Sequence, residues 1–308
     1  MNVSMKALLG VSRAPFLLLS VLLVASASAA SAWDAQVQGT GEGFFWLHTL
    51  LALVGLAAMH IAVNAFNEAS DMANGIDVAT VRTPFSGGSG TLPAGLLSVT
   101  GARIVAAVGL GIGLAIGGYF LVVIGWALLP ILALGVLAVV AYSPWMLRIG
   151  LGEVFAGLGL GALPVLGTAL VQDGIIGPAA IAVSVPAFFM TFNLLLLNEF
   201  PDEQADRAGG RRHLVILLGR RRAAQLYAGA CLATALAILV AVIPPVAALP
   251  TTALVAWVAL GAAAPAIIWA LRRAEQAVPI PALAGNVMWN LGTHLVLAAV
   301  LSFVAIRC

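Results

Sequence analysis

The sixteen residues Asn198 to His213, NEFPDEQADRAGGRRH, hold four acids, three arginines and a histidine. Only 8% of the whole chain is charged. Asp202 and Asp206 are four apart, so on a helix both carboxylates share one face and repel unless a cation sits between them. Pro201 suits the first turn of a short helix, whose free N–H groups attract anions. Acid pairs beside arginines suit Mg²⁺ held jointly by carboxylates and a phosphorylated substrate. A solvated loop with incidental charges would show the same composition.

A second copy separates these alternatives. Residues 67–71 read Asn-Glu-Ala-Ser-Asp and residues 198–202 read Asn-Glu-Phe-Pro-Asp, each at the end of a long apolar run. Asp77 follows the first copy and Asp206 the second. Matching acid clusters at equivalent places in two halves predict two walls of one site.

The elements that must position these walls are membrane helices. Hydrophobic residues make up 62% of the 308, and the mean hydropathy is +1.09, too apolar for a soluble domain. Apolar runs lie at about 14–32, 44–66, 103–122, 124–142, 151–171, 175–197, 223–243, 251–271 and 284–306. Each is near the roughly 20 residues that cross a bilayer. The expected fold is a single domain over residues 1–308: an all-α polytopic membrane protein, nine transmembrane helices in a bundle, with cytoplasmic cap loops after helices 2 and 6. The first run is expected to be a membrane helix. A secretory leader ending at Ala30-Ser31-Ala32 is the alternative, and its cleavage would leave the later orientation unchanged.

With the N-terminus inside, thirteen of the fourteen Lys and Arg residues fall in inner segments and only Arg307 falls outside. The positive-inside rule therefore places both acid clusters at the cytoplasmic face of a bacterial-type inner membrane and the C-terminus outside. Glu153, His48, His60 and His294 are the main ionisable groups within or at the ends of the apolar runs, and the histidines are expected to be packed and hydrogen-bonded. Scarce midplane charge argues against ion-coupled transport. Cys231 and Cys308 are not expected to pair, and Cys308 is misplaced for a prenylation box. Nothing calls for nucleic acid or an obligate protein partner. After Asp77, Arg82 to Gly90 forms a Gly/Ser-rich segment that suits a flexible linker, or a loop whose backbone N–H groups cover an anion.

Together these residues resemble the intramembrane aromatic prenyltransferases of the UbiA superfamily. The resemblance covers essentially the whole chain. Its first motif, Asn-Asp-x-x-Asp, appears as Asn67-Glu68-Ala69-Ser70-Asp71, and Gly75-Ile76-Asp77 matches the Gly-x-Asp of the menaquinone-type (1,4-dihydroxy-2-naphthoate polyprenyltransferase) branch. The second motif appears as Asp202, Asp206, Gly210, Arg211, His213 and Leu214, closing at Leu218-Gly219. Tyr142-Ser143-Pro144 and Gly150-Leu151-Gly152-Glu153 also resemble that branch. Glu68, Arg211 and His213 depart from it, standing for Asp, Lys and Thr.

The resemblance implies Mg²⁺-dependent transfer of a polyprenyl group from its diphosphate to an aromatic acceptor, in lipid-quinone biosynthesis. It implies metal ligands Asp71, Asp77, Asp202, Asp206 and Glu68, of which Asp71, Asp202 and Asp206 are also catalytic. Asn67, Arg82, Asn198, Arg211 and Arg212 would meet the diphosphate, and the prenyl tail would lie among helices beside membrane lipid. A mobile cap, from Phe85 to Gly90 and around Asp202, would exclude water. Tyr142 would face the reacting carbon and Arg148 an acceptor carboxylate; packing and the positive-inside rule account for these two equally well. The acceptor could instead be 4-hydroxybenzoate, homogentisate, a chlorin or haem ring, or glycerol phosphate. A membrane alcohol phosphotransferase would need an Asp-Gly-x-x-Ala-Arg opening, which the chain lacks. A lipid carrier or channel would not need two matched acid motifs.

Overall fold

In lipid every backbone N–H and C=O must find its partner within the protein, so apolar runs of this length close into helices. A computed structural model describes residues 4–39 and 43–307, and among them there are helices and no strands. Cys308 and the side chain of Arg307 lie outside the described residues. Among the described residues eight helices are long and apolar enough to cross a membrane: α1 (Ala14–Gln38), α2 (Trp46–Ala73), α3 (Val99–Val123), α5 (Gly152–Asp173), α6 (Pro178–Ala208), α7 (Arg220–Val242), α8 (Thr251–Arg272) and α9 (Ile280–Arg307). A ninth candidate, α4 (Trp126–Val140), turns by 62° into a second piece, Tyr142–Ile149.

Without a hydrophobic drive between helices in lipid, small residues and buried polar pairs hold the bundle together. A Cβ on Gly109 would stand 2.6 Å from the Ala58 carbonyl, so glycine lets α3 lie directly on α2. Helix α1, rich in Ala and Ser, is embedded at the centre with Leu23, Ala27 and Ala30 fully buried. At one end of the bundle its Asp34 carboxylate accepts hydrogen bonds from Ala179 and Ala180 N–H, capping the buried start of α6. Two of the three histidines are hydrogen-bonded as expected: His60 Nδ1 to Ser20 at 2.9 Å and His294 Nδ1 to Ser26 at 3.0 Å. His48 instead packs its ring edge-on against Phe120. Asn193 of α6 donates to the Tyr227 carbonyl of α7, and Asn286 of α9 donates to the Asn193 carbonyl, tying three helices.

Two expectations need correction. The acid motifs, expected just after the second and sixth spans, are part of those helices: α2 runs on to Ala73 and α6 to Ala208, several residues beyond their apolar runs. Pro201 starts no helix; it lies inside α6, with no free N-terminus beside it. A connecting segment leaves each motif helix, 74–98 from α2 and 209–219 from α6. The two meet at one end of the bundle, together with the bent-over end of α4: Arg212 N–H donates to the Leu147 carbonyl at 2.8 Å.

Candidate active site

The first wall is the last two turns of α2. Asn67 and Asp71, four apart, share the face that looks into the bundle, and the Asn67 amide donates to Asp71 at 2.9 Å. Glu68 is rotated by about 100° from Asn67 and does not line the cavity. Its oxygens accept from the Ser89 N–H and hydroxyl, both at 2.6 Å, and from Arg13 Nε at 3.1 Å. Glu68 therefore fastens the connecting segment and the start of α1 to α2, and the structure gives its oxygens no ligand position facing the site.

Gly75 in the left-handed region, φ 76°, lets the chain leave α2 and start the short turn Ile76–Ala79. That turn buries Asp77. Burial, reinforced by the nearby Glu68 and Asp71 charges, pushes its carboxyl up to about 7. The Gly/Ser segment then folds back over the site. Gly87 N–H donates to Asp202 at 3.0 Å, and Gly88, φ 74°, passes so close that a Cβ there would stand 2.5 Å from Asp77. Of the two readings of this segment, the structure shows the folded cover; it rests its N–H groups on carboxylates.

The second wall is the end of α6, where Asn198, Glu199, Asp202 and Asp206 line the same cavity. After Ala208 two glycines reverse the chain and return Arg211, whose N–H donates to the Asp206 carbonyl. Its guanidinium pairs with Asp71 of the first wall and with Asp206 of the second at 3.1 Å, and donates to Asn67 at 3.0 Å. Burial disfavours this charge, but Asp71 and Asp206 outweigh it, so Arg211 is held more firmly protonated than a free arginine.

Between the walls opens a cavity of about 310 Å³. Its lining along α2 extends from Asp71 to Ala52, about 28 Å at 1.5 Å per residue. The mouth is polar; the remainder is bounded by residues such as Met59, Phe120, Ile131 and Leu163. Of the residues singled out by sequence, Asn67, Asp71, Asp77, Tyr142, Asn198, Asp202, Asp206 and Arg211 line it together. Arg82, Arg148 and Arg212 do not: all three are exposed, and Arg82 turns back to the Asp77 carbonyl at 2.6 Å. Arg13, His60 and Glu199 line it without having been assigned to it, and Phe85, expected in the cap, lines it too. Arg13 stands in the left-handed region at φ 49°, a strained backbone of the kind that gathers at functional sites.

Five carboxylates face the cavity (Asp71, Asp77, Glu199, Asp202, Asp206) against two arginines, Arg13 and Arg211. Asp77 Oδ2, Asn198 Oδ1 and Asp202 Oδ1 are buried with no hydrogen-bond partner. An excess of hard oxygen donors with free lone pairs suits a divalent cation of the Mg²⁺ kind.

Comparison with known proteins gives the family. Residues 23–292 match the UbiA prenyltransferase family, and the chain belongs to that enzyme family. A curated relative, 1,4-dihydroxy-2-naphthoate octaprenyltransferase of Bacillus subtilis (strain 168), is 31% identical over 180 residues. That match covers 55% of this chain and 54% of the relative, so it spans about half of the relative's length. Among solved structures, a UbiA homologue from Archaeoglobus fulgidus bound to GPP and Mg²⁺ superposes with a TM-score of 0.65 at 15% identity, covering 98% of this chain and all of that one. A UbiA homologue from Aeropyrum pernix K1 in its apo form gives 0.63 at 15% identity, covering 94% and 98%. At that identity the likeness is one of fold.

Proposed function

We propose that the protein transfers a polyprenyl group from its diphosphate to an aromatic acceptor of the 1,4-dihydroxy-2-naphthoate kind, as a step toward a lipid quinone. The observation that carries this is the pair of acid walls facing each other across the mouth of one long apolar cavity. The diphosphate belongs at the mouth and the tail in the apolar part. The solved relative that binds GPP and Mg²⁺ and the curated naphthoate prenyltransferase support the donor, the metal and the acceptor class. The connecting segments and both acid walls are assigned to the cytoplasmic side by the positive-inside rule.

Asp71, Asp77, Asp202 and Asp206, with the Asn67 and Asn198 amides, would hold Mg²⁺; when bound, it supplies Lewis acidity to the diphosphate leaving group. Arg211 exchanges its carboxylate partners for diphosphate oxygens, a charge-assisted contact that strengthens as negative charge builds there. Tyr142 offers a ring face to the allylic carbon as it becomes positive. The Thr83–Gly90 cover, seated on Asp202 and Glu68, keeps water from that carbon. Arg148 remains our candidate for the acceptor carboxylate and Arg82 and Arg212 for outer diphosphate contacts, each requiring its exposed side chain to turn inward on binding.

The test is prenyl transfer in membranes carrying the protein, supplied with polyprenyl diphosphate, Mg²⁺ and a panel of acceptors, beside the Asp202→Asn variant. Mg²⁺-dependent product from the naphthoate is expected, reduced on the order of 10²–10³-fold in the variant. Diphosphate cleavage with product only from another acceptor would overturn the acceptor. No cleavage by folded protein would overturn the reaction.

A further inference from the structure

Behind the second wall three ionisable side chains face one another away from solvent. Glu153 begins α5, Glu199 lies on α6 and His213 comes just after the glycine reversal; their exposures are 0%, 3% and 0%. One ligand atom of each lies within 4.8 Å of the other two. Glu153 Oε1 accepts from Leu214 N–H at 2.6 Å, but its Oε2 has no hydrogen-bond partner. Neither nitrogen of His213 has one, and the Glu199 carboxyl has only the neighbouring Glu153 carboxyl to bond to. Two carboxyl groups and an imidazole are thus fully buried against one another, with the Leu214 N–H donating to Glu153.

Buried carboxylates at this separation do not both ionise unless a cation joins them. Bonds of about 2.0–2.2 Å to imidazole nitrogen and carboxylate oxygen hold ligand atoms roughly 3–4 Å apart, so a slight closing of the cluster brings three ligands to one ion and leaves the remaining position for water. The histidine is already oriented for it. His213 Nδ1 lies 3.8 Å from Glu199 Oε2, while Nε2 lies 3.4 Å from Asp206 Oδ2 on its other side. Ligation through Nδ1 leaves Nε2–H to donate to Asp206, the carboxylate–histidine–metal relay that fixes ring orientation in metal sites.

We infer that Glu153, Glu199 and His213 form a site for one first-row transition ion, of the Zn²⁺ or Mn²⁺ class, separate from the Mg²⁺ positions at the cavity mouth. The imidazole selects such an ion over Mg²⁺. Glu153 and His213 do not line the cavity, whereas Glu199 and Asp206 do, so the ion sits behind the wall and positions Asp206 for the diphosphate side. The site stands on its own geometry and does not depend on which acceptor is used.

The experiment uses full-length protein in detergent, freed of metal with chelator and held in excess Mg²⁺, titrated with Zn²⁺, Mn²⁺ and Co²⁺. Bound metal is read by elemental analysis, and Co²⁺ also by its visible d–d spectrum. One equivalent is expected that Mg²⁺ does not displace, absent in His213→Gln and Glu153→Gln and retained in Asp202→Asn. Asp206→Asn should weaken it by about 10–100-fold. Should a ligand variant fail to fold, the Co²⁺ spectrum of the native chain decides, because four-coordinate Co²⁺ on imidazole and carboxylate absorbs far more intensely in the visible than six-coordinate Co²⁺ in water or a Mg²⁺-type site. Binding displaced by Mg²⁺, or lost in Asp202→Asn while kept in His213→Gln, would place the ion at the mouth and overturn the inference. So would no stoichiometric binding to folded protein.

Discussion

The guanidinium of Arg211 lies between Asp71 on α2 and Asp206 on α6, so the unliganded site carries its own cation. Removing one partner of a buried ion pair costs about 3–5 kcal/mol because the other charge is left bare. Arg211→Ala is therefore expected to lower the unfolding temperature of the unliganded protein, with Arg211→Lys recovering part of the loss. Mg²⁺ alone should stabilise Arg211→Ala more than the native chain, since the cation fills the vacated charge between Asp71 and Asp206. Equal stabilisation of both in a thermal melt would show that Arg211 does not hold the walls together. The repeated Asn-Glu-x-x-Asp pattern made the two walls legible, since residues four apart must share a helix face. Its glutamates were not legible in the same way. Each is about 100° round the helix from its Asn, so Glu68 turns to Ser89, 21 residues on, and Glu199 to the Glu153–His213 cluster. Arg13 gave no signal at all: a lone arginine before a membrane helix serves the positive-inside rule whether or not it reaches a site.

Spans were legible from apolar run length, to within a few residues at most ends. Where the motif helices stop was not, because polar residues continue a helix once the site supplies their partners. Pro201 looks like a helix start only if nothing upstream is already helical, and α6 has been helical since Pro178. Nor did composition show the bend of α4 or the irregular turn in α5 at Leu160, whose carbonyl is satisfied by Thr191 at 3.0 Å. These deviations shape the cavity. Gly135 of α4 lines it, and a Cβ there would meet nothing within 4 Å. Gly135→Phe should consequently place a ring in the tail space without distorting the helix. On the proposed activity, mass spectrometry of products made from mixed-length diphosphates should shift toward shorter chains. An unchanged length distribution would mean that the tail runs elsewhere.

At the scale of the whole molecule, the helices alternate so that both acid walls, the bend after α4 and the 273–279 connection share one end. The other end carries the 174–177 and 243–250 connections. On the charge asymmetry, we propose that the first end faces the cytoplasm. In a Cys308→Ser background, Glu275→Cys should react with a membrane-impermeant thiol reagent only in inside-out vesicles, and Val246→Cys only in right-side-out vesicles. Both side chains are exposed, and Cys231 is buried. The reverse pattern would invert the topology.

Helix α1 is tied at both extremities to the two helices that bear the motifs. Arg13, at its start, is bonded to Glu68 of α2, and Asp34, near its end, caps α6. These ties are about 32 Å apart along a rigid rod. The rod acts as a strut of fixed length, keeping the two motif helices level and opposing any sliding of one past the other along the membrane normal. Widening the chamber for a bulkier tail is left to motions in the membrane plane, with the bent α4 and the irregular α5 as the compliant side.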